Sequence, residues 1–371
     1  MALKLLDGFD YYDTVNLSRK WDYVRTGSVT VGAFGRRSSQ GVRVSGTFQT
    51  IGQAAIGKNL PATNASWGFF GSSWNAASMP GDGHHVVHSV YDIASSGGMK
   101  LCTMVGADGS LAIGYVVVNN FSTVKTILAS SAPGVITAGT TYLESGFKIN
   151  STVGGCIFKV AGTSPGDAGY LSYTGNTVRS SGSNVYPDSS TQQFTHVRLG
   201  GDVVSGSSPN VDMDDFYYCD DTGTRNNSFL GNLGIYTLYS NALGDVSDWT
   251  RTGAASDILA VNEHPVPDDD AGYLAASVVA RQFLHNLDGI AATSGVVAGA
   301  AVNHVIKQDD TGTRGVKALL KASGVIGAGV SYTTPSSYGN RQHVFEASPG
   351  TLVALTLAEI ASLQTGGEVT V

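Results

Sequence analysis

Histidines form the first group of side chains whose type and spacing could do chemistry. His84, His85 and His88 lie within five positions of the chain, and alternation along a strand places His84 and His88 on one face with His85 opposite. Two imidazoles on one strand face can ligate a metal ion. The neighbouring sequence does not complete a ligand set, so exposed or hydrogen-bonded histidines are the favoured interpretation.

A second group is acidic. Asp212, Asp214 and Asp215 flank Met213, and alternation places Asp212 and Asp214 on one strand face, opposite Met213 and Asp215. Paired carboxylates can do acid–base work on a glycan, whereas an exposed strand face and a calcium site are the alternatives. The sequence contains no nucleophile elbow, zincin motif, phosphate loop or dinucleotide loop. It therefore predicts no catalytic residue, no metal ligand and no cofactor.

An aromatic-rich segment at residues 64–75 is the candidate for ligand contact. Trp67 and Trp74 lie at its two ends, and exposed indole rings can stack on sugar rings. A core strand with one exposed tryptophan is the alternative interpretation. Trp67 and Trp74 are therefore the predicted glycan-binding residues.

The elements that must position these side chains are strands. The 371 residues include 48 glycines and are 42% hydrophobic and only 14% charged, a composition typical of many short antiparallel strands joined by turns. Residues 101–118 predict a hairpin that turns at residues 107–110. We expect an all-β protein with two β-sandwich (jelly-roll) domains, residues 1–241 and 242–371, divided at the turn-rich stretch 241–253.

Two elements are expected at the ends of these domains. Residues 233–240 predict the closing strand of the first domain. Near the C-terminus, Thr356 is a plausible N-cap with Glu359 three residues later, and Gly366 can stop the helix that they begin. A final strand is expected to follow this short helix.

Charge and hydropathy exclude several partners. The formal net charge is -7, and a nucleic-acid binder would normally carry a basic stripe. No run of about 18 apolar residues exists, so we expect no membrane-spanning segment. The N-terminus lacks the pattern of a signal peptide, so we expect the protein to stay in the cytoplasm where it is made or to leave by cell lysis. The three cysteines, Cys102, Cys156 and Cys219, are predicted to be buried reduced thiols.

A six-residue sequence occurs twice, at 220–225 and at 309–314, as Asp-Asp-Thr-Gly-Thr-Arg. Turn chemistry is the favoured interpretation, because Asp, Thr and Gly suit a hairpin loop. The alternatives are the same corner in two equivalent sheets, and a calcium loop without EF-hand spacing.

Several longer segments carry a resemblance to a known class of protein. They read LLDGFDYYD (5–13), LSRKWDYV (17–24), GAFGRRSSQGVRVSG (32–46), NVDMDDFYYCDD (210–221) and LTLAEIASLQTGGEVTV (355–371). The chain resembles bacteriophage virion structural proteins, of minor tail or tail-fibre type, with a concanavalin A-like (laminin-G-like) jelly roll. The resemblance implies a virion protein that is assembled in the host cytoplasm and released by lysis, without catalytic residues.

We therefore expect a non-enzymatic structural component of a tailed bacteriophage virion, in a tail, baseplate or tail-fibre appendage that contacts other virion proteins. A capsid decoration or head-fibre protein, and a module that binds a host surface glycan, are the alternatives; a polysaccharide-degrading enzyme ranks last. A mean hydropathy of +0.03 favours apolar surface covered by partners. A symmetric homo-oligomer, a trimer or a ring, is expected, with residues 343–371 as a contact.

Overall fold

The computed structural model describes residues 2–24, 29–37, 39–45, 56–60, 65–79, 83–91, 100–119, 122–150, 152–177, 179–181, 184–186, 196–200 and 210–371. Within these ranges strands dominate, and the one α-helix is short, so the predicted all-β class is confirmed. In the same ranges, no helix is both long and apolar enough to cross a membrane.

A first sheet is built from strands spread over residues 3–220. Its strands are β1 (Leu3–Asp7), β3 (Val29–Gly32), β4 (Gly41–Val44), β6 (Gly68–Ala76), β11 (Gly139–Lys148), β12 (Gly154–Val160), β13 (Tyr170–Gly175) and β17 (Val211–Asp220). They run in the order β13-β12-β11-β6-β17-β4-β3, and β1 also pairs with β17. All pairings in it are antiparallel.

A second sheet packs against the first. Its strands are β2 (Tyr23–Val24), β5 (Ile56–Asn59), β7 (His84–Tyr91), β8 (Lys100–Gly106), β9 (Leu111–Asn119), β10 (Ser122–Ser130) and β16 (His196–Leu199). Their order is β10-β9-β8-β7-β16-β5-β2. The predicted hairpin is present as β8 and β9, which pair from Lys100 opposite Val116 to Val105 opposite Leu111.

Alternation along the strands fills the space between these sheets with large side chains. Phe70 and Trp74 of β6, Phe147 of β11 and Phe158 of β12 have no exposed surface, and Tyr115 of β9 faces them from the second sheet. Burial of such side chains is the main force that holds two sheets together. The inner face of β6 is therefore a structural surface, and only its outer face can meet a ligand.

The second half of the chain forms smaller sheets. Its strands are β18 (Ser240–Ser247), β19 (Thr250–Thr252), β20 (Tyr273–Ala275), β21 (Gln282–Leu287), β22 (Ala300–Ile306), β23 (Gly315–Ala322), β24 (Val325–Thr333), β25 (Gly339–Phe345) and β26 (Gln364–Val369). Five of them run in the order β18-β21-β26-β23-β24, while β19 pairs with β20 and β22 with β25. The remaining elements are a β14–β15 ribbon (Arg179–Ser181 and Asn184–Tyr186), the helix α1 (Leu357–Ile360) and two short 3-10 turns (Asn16–Arg19 and Asp269–Ala271).

Residues 222–239, the covering segment, lie against the outer face of the first sheet. Ile235 and Phe229 of this segment pack with Tyr217 of β17, together with Val344 of β25. The predicted strand at 233–240 is wrong, because strand pairing begins only at Ser240. The division near residue 242 remains a prediction.

The predicted C-terminal helix is confirmed, with one difference. The Thr356 hydroxyl accepts a hydrogen bond from the Glu359 backbone N–H, and the Glu359 carboxylate accepts one from the Thr356 backbone N–H, which satisfies two donors at the helix start. The helix ends at Ile360, and Gly366 lies instead within β26.

Candidate functional site

The two predicted glycan-binding tryptophans lie on opposite faces of the first sheet. Trp74 has no exposed surface and packs between the sheets, so the prediction for Trp74 is corrected: it is a core residue. Trp67 precedes β6 and lies, partly buried, on the outer face. Trp67 is therefore the one of the pair that a ligand can reach.

Trp67 and Phe69 form a pair of stacked rings on this outer face, which we call the aromatic platform. Their rings are parallel and stacked, with an interplanar angle of 7° and centroids 5.9 Å apart. Phe69 is capped by Phe229 of the covering segment at an interplanar angle of 67°, and Phe69 is buried, whereas Trp67 keeps part of its surface open. The platform therefore has a covered end and an accessible end.

Two glycines allow the rings to approach the sheet closely. A Cβ atom on Gly155 of β12 would stand 2.7 Å from Trp67 Cη2, and one on Gly146 of β11 would stand 3.3 Å from Phe69 Cδ1. Without side chains at these positions, the aromatic rings contact the strand backbone directly. A larger residue at position 155 would lift the indole ring off the sheet.

The backbone at Trp67 is held by the first copy of the repeated hexapeptide. The Ser66 N–H donates to Asp221 Oδ1 at 2.9 Å, and the Asp221 N–H donates to the Trp67 carbonyl at 3.1 Å. The second copy makes a local ion pair instead, between Arg314 and Asp310. The second copy lies outside the strands, and so does the first apart from Asp220 at the end of β17, which agrees with turn chemistry, but only the first positions a candidate site residue.

Polar side chains surround the open end of the platform. Thr174 and Lys148 lie directly opposite Gly155 on the neighbouring strands, and Ser172 lies opposite Ile157, so all of them share its face. Ser172 and Thr174 are exposed. These residues were not singled out by sequence reasoning, and only the pairing of β11, β12 and β13 brings them together. The arrangement combines an apolar surface with hydroxyl and ammonium groups.

The histidines do not form a metal site. The register of β7 shifts between Val86 and His88, which turns His88 inward, where its ring nitrogens lie 3.0 Å from Ser72 Oγ and 2.7 Å from Ser145 Oγ. Burial lowers the pKa of His88 to about 3, so His88 is neutral. The expectation that His84 and His88 share a face is therefore wrong. No group of three or more metal-binding side chains occurs in the described ranges.

The acidic residues form a buried cluster. A register shift after Asp214, with a positive φ of 53° at Asp215, turns Asp215 to the same side as Asp214, contrary to strict alternation. Asp214 accepts a hydrogen bond from the Arg36 backbone N–H, and Asp215 forms ion pairs with Arg36 and Arg37. Both carboxylates are at most 2% exposed. They connect Arg36, Arg37 and Ser39, together with Ile235 of the covering segment, to β17.

This cluster should make stability depend on pH. Burial, together with the charge of Asp215, raises the pKa of Asp214 to about 7. A carboxyl whose pKa is raised by folding contributes stability below its unfolded value, and that stability is lost as pH rises through the folded value. The free energy of unfolding should therefore fall as the pH rises from about 4 to about 7. The fall amounts to about 1.4 kcal/mol for each unit by which folding raises the pKa of Asp214.

In the Asp214→Asn variant, the free energy of unfolding is expected to change less between pH 4 and pH 7 than in the wild-type protein. This holds whatever the effect of the substitution on stability at a single pH. Urea unfolding at a series of pH values measures the slope. Asp269→Asn is the matched control, because Asp269 pairs with Arg19 on the surface. An unchanged slope in Asp214→Asn would contradict the assignment.

A separate cavity of about 980 Å³ is lined mostly by the second half of the chain, with Leu6, Gly8, Tyr11 and Arg37 from the first half. Its lining includes Trp249 and Phe283, and Tyr239 stacked on His264 with ring centroids 3.6 Å apart. Trp249 is partly buried and donates its indole N–H to the Arg281 carbonyl. Trp249 is therefore a second partly buried tryptophan that borders open space, and it can serve as a control for Trp67.

Comparisons with known proteins concern the fold alone. No protein-family model and no curated protein sequence match the chain. Alginate lyase vAL-1 from Chlorella virus is 10% identical, with a TM-score of 0.41 over 57% of this chain and 98% of that chain. The CBM2 module of the Lactobacillus casei BL23 phage J-1 evolved Dit is 11% identical, with a TM-score of 0.31 over 58% and 90%. The GH43 protein BlXynB from Bacillus licheniformis is 15% identical, with a TM-score of 0.33 over 58% of this chain and 39% of that chain.

These likenesses correct one expectation from the sequence. The sequence predicted that the protein is not an enzyme. This prediction is wrong, because similar sandwiches occur in alginate lyases and in a GH43 protein. The fold gives no ground for excluding catalysis. At the level that the comparisons reach, the chain is a jelly-roll β-sandwich protein.

Proposed function

We propose that the protein recognises glycans on a bacterial surface through the aromatic platform, as part of an appendage of a tailed bacteriophage. The observation that carries the proposal is the stacked pair Trp67 and Phe69, which packs closely against the glycines of β11 and β12 with the Trp67 end open. A flat apolar surface complements the C–H face of a pyranose ring, and nearby hydroxyl groups can bind its oxygens. Ser172 and Thr174 supply such hydroxyls.

The virion part of the proposal rests on the sequence resemblance described above. A tail, baseplate or tail-fibre location brings contacts with other virion proteins and holds several copies of the chain on one particle. A single shallow platform binds weakly, and several linked copies raise the overall affinity without any new contact. Labelling of intact particles with an antibody distinguishes this location from the capsid; absence from purified particles would contradict it.

The first experiment is a binding screen. Purified protein is applied to an array of bacterial capsular and cell-wall polysaccharides, and we expect retention on a subset of them. Failure to bind any polysaccharide, with the protein shown to be folded and displayed in several copies on a bead, would overturn the proposal.

Gly155→Ala tests the geometry without removing the tryptophan. The added Cβ would stand 2.7 Å from the indole ring, so the ring must tilt away from the sheet. We expect several-fold weaker binding to the polysaccharide selected by the screen, measured by affinity electrophoresis. Gly289→Ala is the matched control, because a Cβ there meets nothing within 4 Å. Equal binding by the two variants would contradict the role of the flat ring.

A further inference from the structure

The strands at the open end of the aromatic platform carry one charged side chain without an ion-pair partner. β11, β12 and β13 together contain three charged residues, Glu144, Lys148 and Lys159. Glu144 has no exposed surface, and its carboxylate accepts hydrogen bonds from the Tyr217 hydroxyl and the Gly231 N–H and pairs with Lys159 at 3.4 Å. Lys148 is partly buried and forms no ion pair within the described ranges. These strands therefore present one unmatched positive charge, although the whole chain has a net charge of -7.

Strand pairing places Lys148 beside the indole ring of Trp67. β6 and β11 end their pairing at Gly68 opposite Phe147, and the next step of the same register sets Trp67 opposite Lys148. On its other side, Lys148 lies opposite Gly155, where a Cβ would stand 2.7 Å from the indole ring. Paired residues on antiparallel strands lie about 5 Å apart. The ammonium group of Lys148 is therefore within reach of a sugar that contacts the ring.

The carboxylate next to Trp67 is engaged on the other side of the ring. Asp221 follows β17, and its Oδ1 accepts the Ser66 N–H at 2.9 Å. β6 lies between β11 and β17 in the sheet, so Asp221 and Lys148 are separated by about 10 Å, the width of two strand spacings. The exposed Thr174 lies on the Lys148 side. On that side, the open end combines an aromatic ring, an ammonium group and a hydroxyl.

We propose that the aromatic platform selects glycans that carry an anionic substituent, and that Lys148 recognises this substituent. The inference rests on the proposed function, since it concerns the same site. An aromatic ring contacts the C–H face of any pyranose, whereas an ammonium group adds affinity only for an acceptor such as a carboxylate or phosphate oxygen. A neutral sugar leaves the charge of Lys148 unmatched, and a uronate or a phosphate-substituted sugar pairs with it.

Matched pairs of polysaccharides test this selectivity. Each acidic polysaccharide of the array is applied as it is and after reduction of its carboxyl groups to alcohols, beside neutral and phosphate-bearing polysaccharides. We expect retention on anionic polysaccharides. Loss of binding after carboxyl reduction identifies a carboxylate as the recognised group, and binding to phosphate-bearing polysaccharides that carry no carboxyl group identifies a phosphate.

The other outcomes of the array separate this inference from the proposed function. Retention on neutral polysaccharides, or equal affinity for an acidic polysaccharide and its reduced form without binding to phosphate-bearing ones, would overturn the anionic selectivity and leave the platform as a glycan site. Failure to bind any polysaccharide would overturn the proposed function itself.

Lys148→Met removes the charge and keeps an unbranched side chain. We expect at least about ten-fold weaker binding to the selected anionic polysaccharide, together with a smaller loss of affinity as the salt concentration rises. Lys148→Arg keeps the charge and should retain most of the affinity. Lys58→Met is the matched control, because it removes the same charge from the second sheet, where Lys58 pairs with Asp22.

Affinity electrophoresis at two salt concentrations measures these effects, and circular dichroism confirms that each variant is folded. Folded Lys148→Met with the affinity and salt dependence of the wild-type protein would overturn the role of Lys148, even where the wild-type protein prefers anionic polysaccharides. Equal weakening by Lys148→Met and Lys58→Met would show that overall charge, and not a group beside Trp67, sets the preference, which would also overturn the inference.

Discussion

Replacement of Trp74 by alanine is expected to lower the free energy of unfolding by about 3–5 kcal/mol. Trp74 has no exposed surface and packs between the two sheets of the sandwich. Removal of its ring leaves a cavity that the surrounding strands cannot fill, because each of them is held by pairing on both sides. Urea unfolding followed by circular dichroism measures the loss.

Two further variants make this prediction specific. Trp74→Phe should retain most of the stability, because the indole N–H of Trp74 has no hydrogen-bond partner in the described part of the chain and its removal leaves no buried donor. Trp67→Ala should cost less than Trp74→Ala, since part of the Trp67 surface is already in water. Equal losses in Trp67→Ala and Trp74→Ala would show that the two faces of β6 have been assigned wrongly.

Trp67→Ala is expected to weaken glycan binding at least about 30-fold, which corresponds to about 2 kcal/mol. The indole ring supplies the open part of the aromatic platform, and its removal exposes the Gly155 backbone, which offers no apolar surface. Isothermal titration with the polysaccharide selected by the array measures the change. Trp249→Ala is the matched control, because it removes a partly buried tryptophan that borders the separate cavity.

The outcomes of this pair of variants separate two sites. Loss of binding in Trp67→Ala alone supports the platform. Loss in Trp249→Ala alone would move the glycan site to the separate cavity and contradict the proposed function of Trp67. Binding by both variants with the wild-type affinity would exclude both tryptophans.

Sequence reasoning identified the fold class because strand composition and turn residues act locally. The β8–β9 hairpin and the capping box of α1 each depend on a few neighbouring residues, and both are present. The segment at 233–240 has the apolar pattern of a strand, but it lies in the covering segment, where apolar side chains pack on the first sheet without strand pairing. Burial, rather than strand pairing, explains its pattern.

The candidate site was only partly predictable. Trp67 and Trp74 are separated by seven positions, an odd number, which under strand alternation already places them on opposite faces; the burial of Trp74 shows which face is the core. The bulges near His88 and Asp215 break alternation, and nothing in the local sequence marks them. Ser172 and Thr174 come from a strand about 100 residues later, so only sheet topology places them near Trp67.

The indole N–H resonances give the most direct test of the aromatic platform. The chain contains four tryptophans, so its ¹H–¹⁵N spectrum should show four indole signals, which are assigned by replacing Trp67 and Trp249 singly with phenylalanine. On titration with the selected polysaccharide, we expect the Trp67 signal to move in proportion to binding, while the signals of Trp21, Trp74 and Trp249 stay in place. A shift of the Trp249 signal with an unmoved Trp67 signal would contradict the platform as the glycan-binding site.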